Sequence, residues 1–353
     1  MTRDDTLPGV DSEIVETDRL ETHVLSAGDA DDHPVVFLHG NVSSSRFWED
    51  TMAALEDVYP LAPDFRGYGD SETKPVDATE GLSDFTADLE ALLSALEVTD
   101  SVTLVGWSNG GGVAMDYTIA NPGQVANLVL VNPLSPYGFG GTKDVDGTPC
   151  WDDYAGSGGG LANDEFVSGL AERVREGADQ SSPRAVMRNF YVDPTFDFDP
   201  EREDSYLTGM LDTATGEANY PGDSTPSENW PGVAPGERGV NNAVSPKYCD
   251  LTGIVDVEPK PPVLWIRGGS DQIVSNESLF DFGTLGRMGQ VPDWPGEDIF
   301  PPQPMVDQTR AVLEAYADAG GSFEEVVFEN VGHIPHVEAP GEFRGGLEDV
   351  IGE

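Results

Sequence analysis

Lysine is scarce in this sequence: there are four in 353 residues, and lysine and arginine together number 18 against 65 aspartates and glutamates. The net charge of −47 repels other polyanions, so neither nucleic acid nor an anionic membrane surface is expected as a partner. Cysteine is scarcer still. Cys150 and Cys249 alone cannot make a disulfide framework or a four-ligand zinc site. Two buried thiols are expected, with a bridge across the base of the intervening segment as the alternative. No apolar stretch approaches the length of a membrane span. The opening residues, MTRDDTLPGVDSE, have no apolar signal core behind their one arginine, so a soluble, cytoplasmic protein is expected. Motifs for metals and nucleotides are missing as well. GGSDQ and GTLGRMG lack the strand–turn–helix context of a phosphate loop, so no cofactor or metal is expected.

What the chain does have is acid along its whole length, which argues against a disordered acidic tail. A docking surface for a basic partner would gather the acids into a patch, and none stands out. The composition instead resembles that of proteins from salt-loving archaea. Their acidic surfaces stay hydrated where molar salt screens repulsion within about 3 Å.

Hydrophobic residues make up only 38% of the chain, but they fall in dense runs such as PVVFLHG, SVTLVGW, NLVLVNP and PPVLWIRG, as in a folded core. EIVETDRLETHVLSAG reads as an antiparallel pair, and PVVFLHG, YPLAPD, SVTLVG and ANLVLVN read as further strands. Helical patterns lie between them. SSSRFWEDTMAALEDV follows a serine cap. LSDFTADLEALLSALEV puts Leu82, Phe85, Leu89, Leu92, Leu93 and Leu96 on one face, and another helix runs from Asn109 to about Asn121. This alternation predicts an α/β fold with a mostly parallel, doubly wound sheet and right-handed crossovers.

The rhythm stops near Pro133. From there to about Lys260 no strand signal appears; NDEFVSGLAERVREGA and SPRAVMRNFYV read as helices, and a Gly/Pro/Asn-rich stretch follows. PPVLWIRGGSD, VDQTRAVLEAYADAG and FEEVVFENVGH then restore the pattern. The chain accordingly divides into a first core part, residues 1–132, a mainly helical insertion, 133–260, and a second core part, 261–353. The last contains an extra Pro/Gly-rich insertion near 275–305. Its Phe280, Phe282, Met288, Trp294 and Phe300 are more apolar bulk than a solvated loop needs, so it is expected to pack over another part of the molecule.

The stretch LVGWSNGGG, residues 104–112, sets Ser108 among glycines, between the strand SVTLVG and the helix NGGGVAMDYTIA. G-x-S-x-G in this context is a nucleophile elbow, with Gly106 and Gly110 letting strand and helix approach. A serine hydroxyl needs a base to take its proton. Of five histidines, His23 and His33 lie in an early strand and an acidic turn and are unremarkable. His39, in FLHGN, reads as a structural residue bonding its loop. His333 follows the glycine that ends the last strand pattern, and is the candidate base; His336 is expected to begin the final helix and face solvent or pack. The imidazole in turn needs a carboxylate. Asp271 lies just past a buried strand, whereas Asn132 at the end of the preceding strand has no carboxylate to offer. Ser108, Asp271 and His333 follow the chain order of this elbow class. The backbone N–H groups of Asn109 and Asn41 are the candidate oxyanion hole.

With these residues in view, the chain resembles the α/β-hydrolase fold superfamily. FLHGN, DFRGYGDS, GWSNGG, GGSDQIV and GHIPHVEAP match that family's landmarks in order across residues 37–340. The resemblance implies Ser108 as nucleophile, Asp271 as triad acid, His333 as base and Asn41 with Asn109 as oxyanion hole. It also implies a cap domain at Pro133–Lys260. DFRGYGDS, with Arg66, reads as structural. Relatives that carry aspartate at the elbow, the haloalkane dehalogenases and epoxide hydrolases, use a chemistry that Ser108 lacks.

A serine elbow fits acyl transfer from a small-molecule substrate to water, with a small or medium carboxylic ester, thioester or lactone first. Carbon–carbon hydrolysis of a diketone-type acid and cleavage of N-terminal proline come second. The former would favour an arginine clamp, for which Arg184 and Arg188 are available. A ligand receptor without turnover is the reading from another class. Trp107, Trp151, Trp230 and Trp294, with Tyr154, Phe190 and Tyr191, are candidates to line the pocket.

Overall fold

The computed structural model describes residues 5–177 and 179–352. Residues 1–4, on which the reading of the N-terminus partly rests, Ala178 at the end of the expected helix NDEFVSGLAERVREGA, and Glu353 lie outside them. Eight strands form the main sheet: β1 (Asp11–Glu16), β2 (Glu21–Ser26), β3 (His33–Leu38), β4 (Val58–Pro63), β5 (Val102–Trp107), β6 (Val125–Val131), β7 (Val263–Gly268) and β8 (Phe323–Phe328). Their spatial order is β1-β2-β4-β3-β5-β6-β7-β8. β2 is antiparallel to β1 and β4, and the remaining pairs are parallel.

The inner strands are covered on both faces, which is why they read as unbroken apolar runs. Along β5, Val102 and Leu104 enter the core on one side while Val105 and Trp107 enter it on the other. β3 divides likewise, into Val36 and Leu38 against Val35 and Phe37. Each such side chain contributes about 1.5–3 kcal/mol by its burial. Helices Ser83–Ala95, Asn109–Ala120 and Met305–Asp318 cover the first face; Pro340–Gly352 and Pro200–Leu211 pack on the second.

Several local expectations change. SSSRFWEDTMAALEDV forms only a 3-10 turn, Ser45–Phe47, and a short helix, Glu49–Ala53, because the chain must reverse into β4 at Val58. The helix at 164 ends at Ala171, beyond which Arg173 turns left-handed at φ +55°. The segment 133–260 is helical only in part and contains four very short strands: Thr215–Gly216, Tyr220–Pro221, Ser224–Pro226 and Val233–Pro235. Two or three residues with proline or glycine among them carry no period-2 signal, so a pattern search passes over them. Cys150 and Cys249 are free thiols, and burial raises the pKa of both.

The 275–305 insertion packs in part, with Phe280 and Met288 left exposed. Phe300 is fully buried, and Gln303 ties the insertion to the start of the 133–260 segment, accepting from Gly140 N at 2.6 Å and donating to Gly138 O at 3.1 Å. Among the described residues no helix is long and apolar enough to cross a membrane.

Candidate active site

β5 ends at Trp107, and Ser108 turns the chain into helix Asn109–Ala120 at φ +56° and ψ −122°, a conformation non-glycine residues seldom adopt. The turn is that tight because strand and helix touch. A Cβ on Gly110 would lie 2.3 Å from Leu38 O, and one on Gly106 would lie 2.4 Å from Gly110 O. Only glycine fits at either place.

Asp271 follows β7 and His333 follows β8, so both reach the carboxyl edge of the sheet where Ser108 stands. Asp271 Oδ2 lies 2.8 Å from His333 Nδ1, and both residues are buried. The other carboxylate oxygen accepts from Ile273 N at 2.8 Å and Val274 N at 3.2 Å, so the loop itself aims the group. An acceptor at Nδ1 keeps the proton there and leaves Nε2 as the basic nitrogen. No hydrogen bond joins Ser108 Oγ to His333 among the described residues. Contacts of this kind commonly close only around substrate.

The loop that carries His333 is held on every side. Trp107 Nε1 donates to His333 O at 2.8 Å, and Asn132 Nδ2 donates to Gly332 O at 3.1 Å. Asn132 also accepts from Gly268 N at 3.0 Å, so one side chain ties the end of β7 to the His333 loop. Glu338 accepts from Gly332 N at 2.8 Å and from Asp193 N at 2.7 Å. Burial pushes this carboxyl up to about 7. His336, also expected near this loop, is not solvent-facing. It stacks on Trp48 with ring centroids 4.0 Å apart, and burial, with His333 nearby, holds its pKa well below the usual range.

The loop after β3 comes close to Ser108: a Cβ on Gly40 would meet Ser108 Cβ at 3.0 Å. Neither the Asn41 nor the Asn109 backbone N–H has an acceptor among the described residues. The Asn41 side chain is fully engaged, accepting from Tyr68 Oη at 2.6 Å and Val42 N at 3.0 Å and donating to Asn241 Oδ1 at 3.0 Å. Val42 sits at φ +47°, costly for a β-branched residue. Tyr191 steadies it by donating to Val42 O at 3.2 Å, and the carbonyl of the same tyrosine accepts from His333 N at 2.9 Å. One residue of the 133–260 segment thus holds both the loop after β3 and the base loop. His39 is structural as expected, accepting from Phe65 N at 3.0 Å.

A cavity of about 420 Å³ lies between the 133–260 segment and the 275–305 insertion. None of the four candidate tryptophans lines it. Trp107 is core, with no exposed surface, and its indole serves the base loop. Trp230 packs on Phe300 at 4.9 Å and donates to Pro292 O, while Trp294 donates to Phe300 O, so both fasten the insertion. Trp151 is half-buried, with its indole nitrogen unpartnered. Indoles on these segments fill the joints between them, which alternation and composition do not reveal. Of the other candidates, Phe190 alone lines the cavity.

Asn132 and Glu338 had no assigned part in the site, and Tyr191, a candidate for the pocket wall, instead holds the two loops. Asn132 was legible by position, at the carboxyl end of an inner strand. Among 65 acidic residues nothing distinguishes Glu338.

An eight-stranded sheet with a serine elbow and an Asp–His pair at its carboxyl edge defines an α/β-hydrolase architecture. The chain belongs to the alpha/beta hydrolase family, which matches residues 35–345. A cis-3-alkyl-4-alkyloxetan-2-one decarboxylase of Shewanella oneidensis is 36% identical over 113 residues, 31% of this chain and 35% of that protein. A non-heme chloroperoxidase of Kitasatospora aureofaciens is 35% identical over 119 residues, 33% of this chain and 42% of that protein. The match thus spans well under half the length of these curated relatives. Among solved structures, an esterase from Rhodococcus sp. has a TM-score of 0.59 at 18% identity, covering 98% of this chain and 99% of its own. At that identity the likeness is one of fold.

Proposed function

We propose that this chain is a serine hydrolase that transfers the acyl group of a carboxylic ester, thioester or lactone to water through an acyl-enzyme on Ser108. The observation that carries the reading is the buried Asp271–His333 pair, 2.8 Å apart, at the sheet edge that carries the strained elbow. His333 Nε2 takes the hydroxyl proton as Ser108 Oγ bonds to the carbonyl carbon. The oxyanion is received by the unengaged N–H groups of Asn41 and Asn109. Collapse breaks the bond to the leaving group, which departs with the proton from His333. Water then repeats the sequence on the acyl-enzyme, releasing the acid and restoring Ser108. Asp271 stabilises the imidazolium in both halves.

The rival chemistries find less support. Arg184 and Arg188 are both paired with Glu203, so neither is a free clamp for the carboxylate of a diketone-type acid. An oxetan-2-one, which the name of one relative carries, is a cyclic ester, so strained lactones belong with the esters to be tried.

A fluorophosphonate, followed by intact mass and mapping of the adduct, tests the nucleophile without a guess at the substrate. The chain supplies its own control. Ser12 Oγ lies 2.9 Å from His23 Nε2, and His23 Nδ1 lies 2.7 Å from Asp64, a second Ser–His–Asp chain spread over β1, β2 and the turn after β4, with no elbow. A single adduct on Ser108, absent from heat-unfolded protein, is expected. No adduct on folded protein sinks the hydrolase reading and leaves the non-turnover receptor in its place, and an adduct on Ser12 alone overturns the assignment of Ser108.

A further inference from the structure

We infer that the cavity between the 133–260 segment and the 275–305 insertion binds the larger part of the substrate, and that this part is uncharged and predominantly apolar. Its role in turnover rests on the hydrolase reading above; its ligand preference does not.

The first observation is what the wall lacks. Charged residues are 24% of the chain, yet not one Asp, Glu, Lys or Arg lines this cavity. In a molecule of net charge −47 a neutral wall is a departure from composition. The buried part of the wall includes Phe166, Val186, Tyr220 and Val244, with Gly140, Gly156 and Ser157, whose hydroxyl is already bonded to Tyr154 O and Ser245 Oγ; the exposed part carries amides, Asn163, Gln180, Asn189 and Gln290. A carboxylate or ammonium moved to the inner end would lose its hydration with no counter-charge to replace it. An alkyl or aryl group would lose nothing there, and an ester or hydroxyl oxygen at the mouth would find amide donors. Arg184 and Arg188, which flank the wall residues Val186 and Asn189 in sequence, are already held by Glu203.

The second observation ties the cavity to the chemistry by three links. Asn189, in the wall, accepts through its carbonyl from Gln272 Nε2 at 3.2 Å, next to Asp271. Phe190, in the wall, precedes Tyr191, whose carbonyl holds the His333 backbone. Asn241, in the wall, accepts from Asn41 Nδ2 at 3.0 Å. A group bound here therefore touches wall residues that are themselves tied to the acid, base and oxyanion loops.

The third concerns the insertion. Leu279, Phe280, Phe282, Leu285 and Gln290 form one wall, beginning eight residues after Asp271 in sequence. Phe280 meets Phe190 of the opposite wall edge-to-face, with centroids 5.2 Å apart. The two rings limit the length of the bound group, and the insertion sets specificity.

The experiment measures binding of intact esters by calorimetry to the Ser108→Ala protein in molar KCl, which screens the long-range charge of the surface. The probes are p-nitrophenyl hexanoate, the carboxylate-ended mono-p-nitrophenyl adipate and the ammonium-ended p-nitrophenyl 6-aminohexanoate. The neutral ester is expected to bind at least about tenfold more tightly than either charged one. Adding Leu285→Trp, which fills the cavity, should weaken the neutral ester by about tenfold. Phe280→Ala, at a partly exposed position, should move the preference to a longer chain. Equal or tighter binding of a charged probe overturns the inference, as does indifference of the neutral ester to both variants. Because this protein cannot form the acyl-enzyme, these results stand apart from turnover. Neutral binding to it, with no hydrolysis by the wild type, would retire the hydrolase reading and keep the cavity assignment.

Discussion

At the scale of the residue, Asp271 shows how much depends on a single atom. Its Oδ1 is committed to its own loop, and only Oδ2 reaches His333. Asp271→Asn keeps the size and the loop acceptor but offers an N–H where an acceptor is needed, turning the imidazole to the wrong tautomer. We expect kcat to fall about 10³–10⁴-fold with KM little changed, read on the first ester that is turned over. A loss under about tenfold would mean that His333 is oriented by something else. Glycines and asparagines carry the rest of this scale: Gly106 and Gly110 by having no Cβ, and Asn132 by joining the end of β7 to the loop that bears His333.

At the scale of the element, the base loop is stitched to residues 191–193 through Tyr191 O and Glu338, and the Glu338 carboxyl titrates near neutrality. Burial is the main cause, and the nearby Asp193 adds to it. The sign follows from the two states. In the unfolded chain the carboxyl ionises near 4.5, and in the folded protein near 7, so folding favours the protonated form. Its contribution is complete below about pH 4.5 and is lost as pH rises through about 7. Glu338→Gln does not titrate. Denaturant unfolding across this range should show wild-type stability falling relative to the variant between those two values and levelling off above. A gap independent of pH would show that the carboxyl is ionised as freely in the fold as outside it. Asp193 lies beside the group, so the comparison must be made between variants and not on the wild type alone.

At the scale of the molecule, charge dominates. Ion pairs such as Arg310–Glu325 and Arg202–Glu49 exist, but 18 basic residues cannot neutralise 65 acidic ones. Added salt weakens exposed pairs worth about 0–1 kcal/mol each, and at the same time screens the repulsion among the surplus acids. The second effect should win. Tm should rise with KCl from low to molar concentration, most steeply at the start, and a flat or falling Tm would remove salt adaptation as the reason for the composition.

The strands of the sheet were legible because each inner one is an apolar run between turn residues, buried on both faces wherever the sheet is covered. The meeting of Ser108, Asp271 and His333 at one edge was legible because each follows a strand pattern, and parallel strands bring all their carboxyl ends to that edge. Periodicity stops at that edge. Tyr191, Glu338 and the charge-free cavity arise from segments meeting across 133–260 and 275–305, where short irregular elements carry no repeat. The tryptophans on those segments signalled burial without saying against what. A hydrophobic pattern records that a side chain leaves water; only the tertiary structure decides which neighbour receives it.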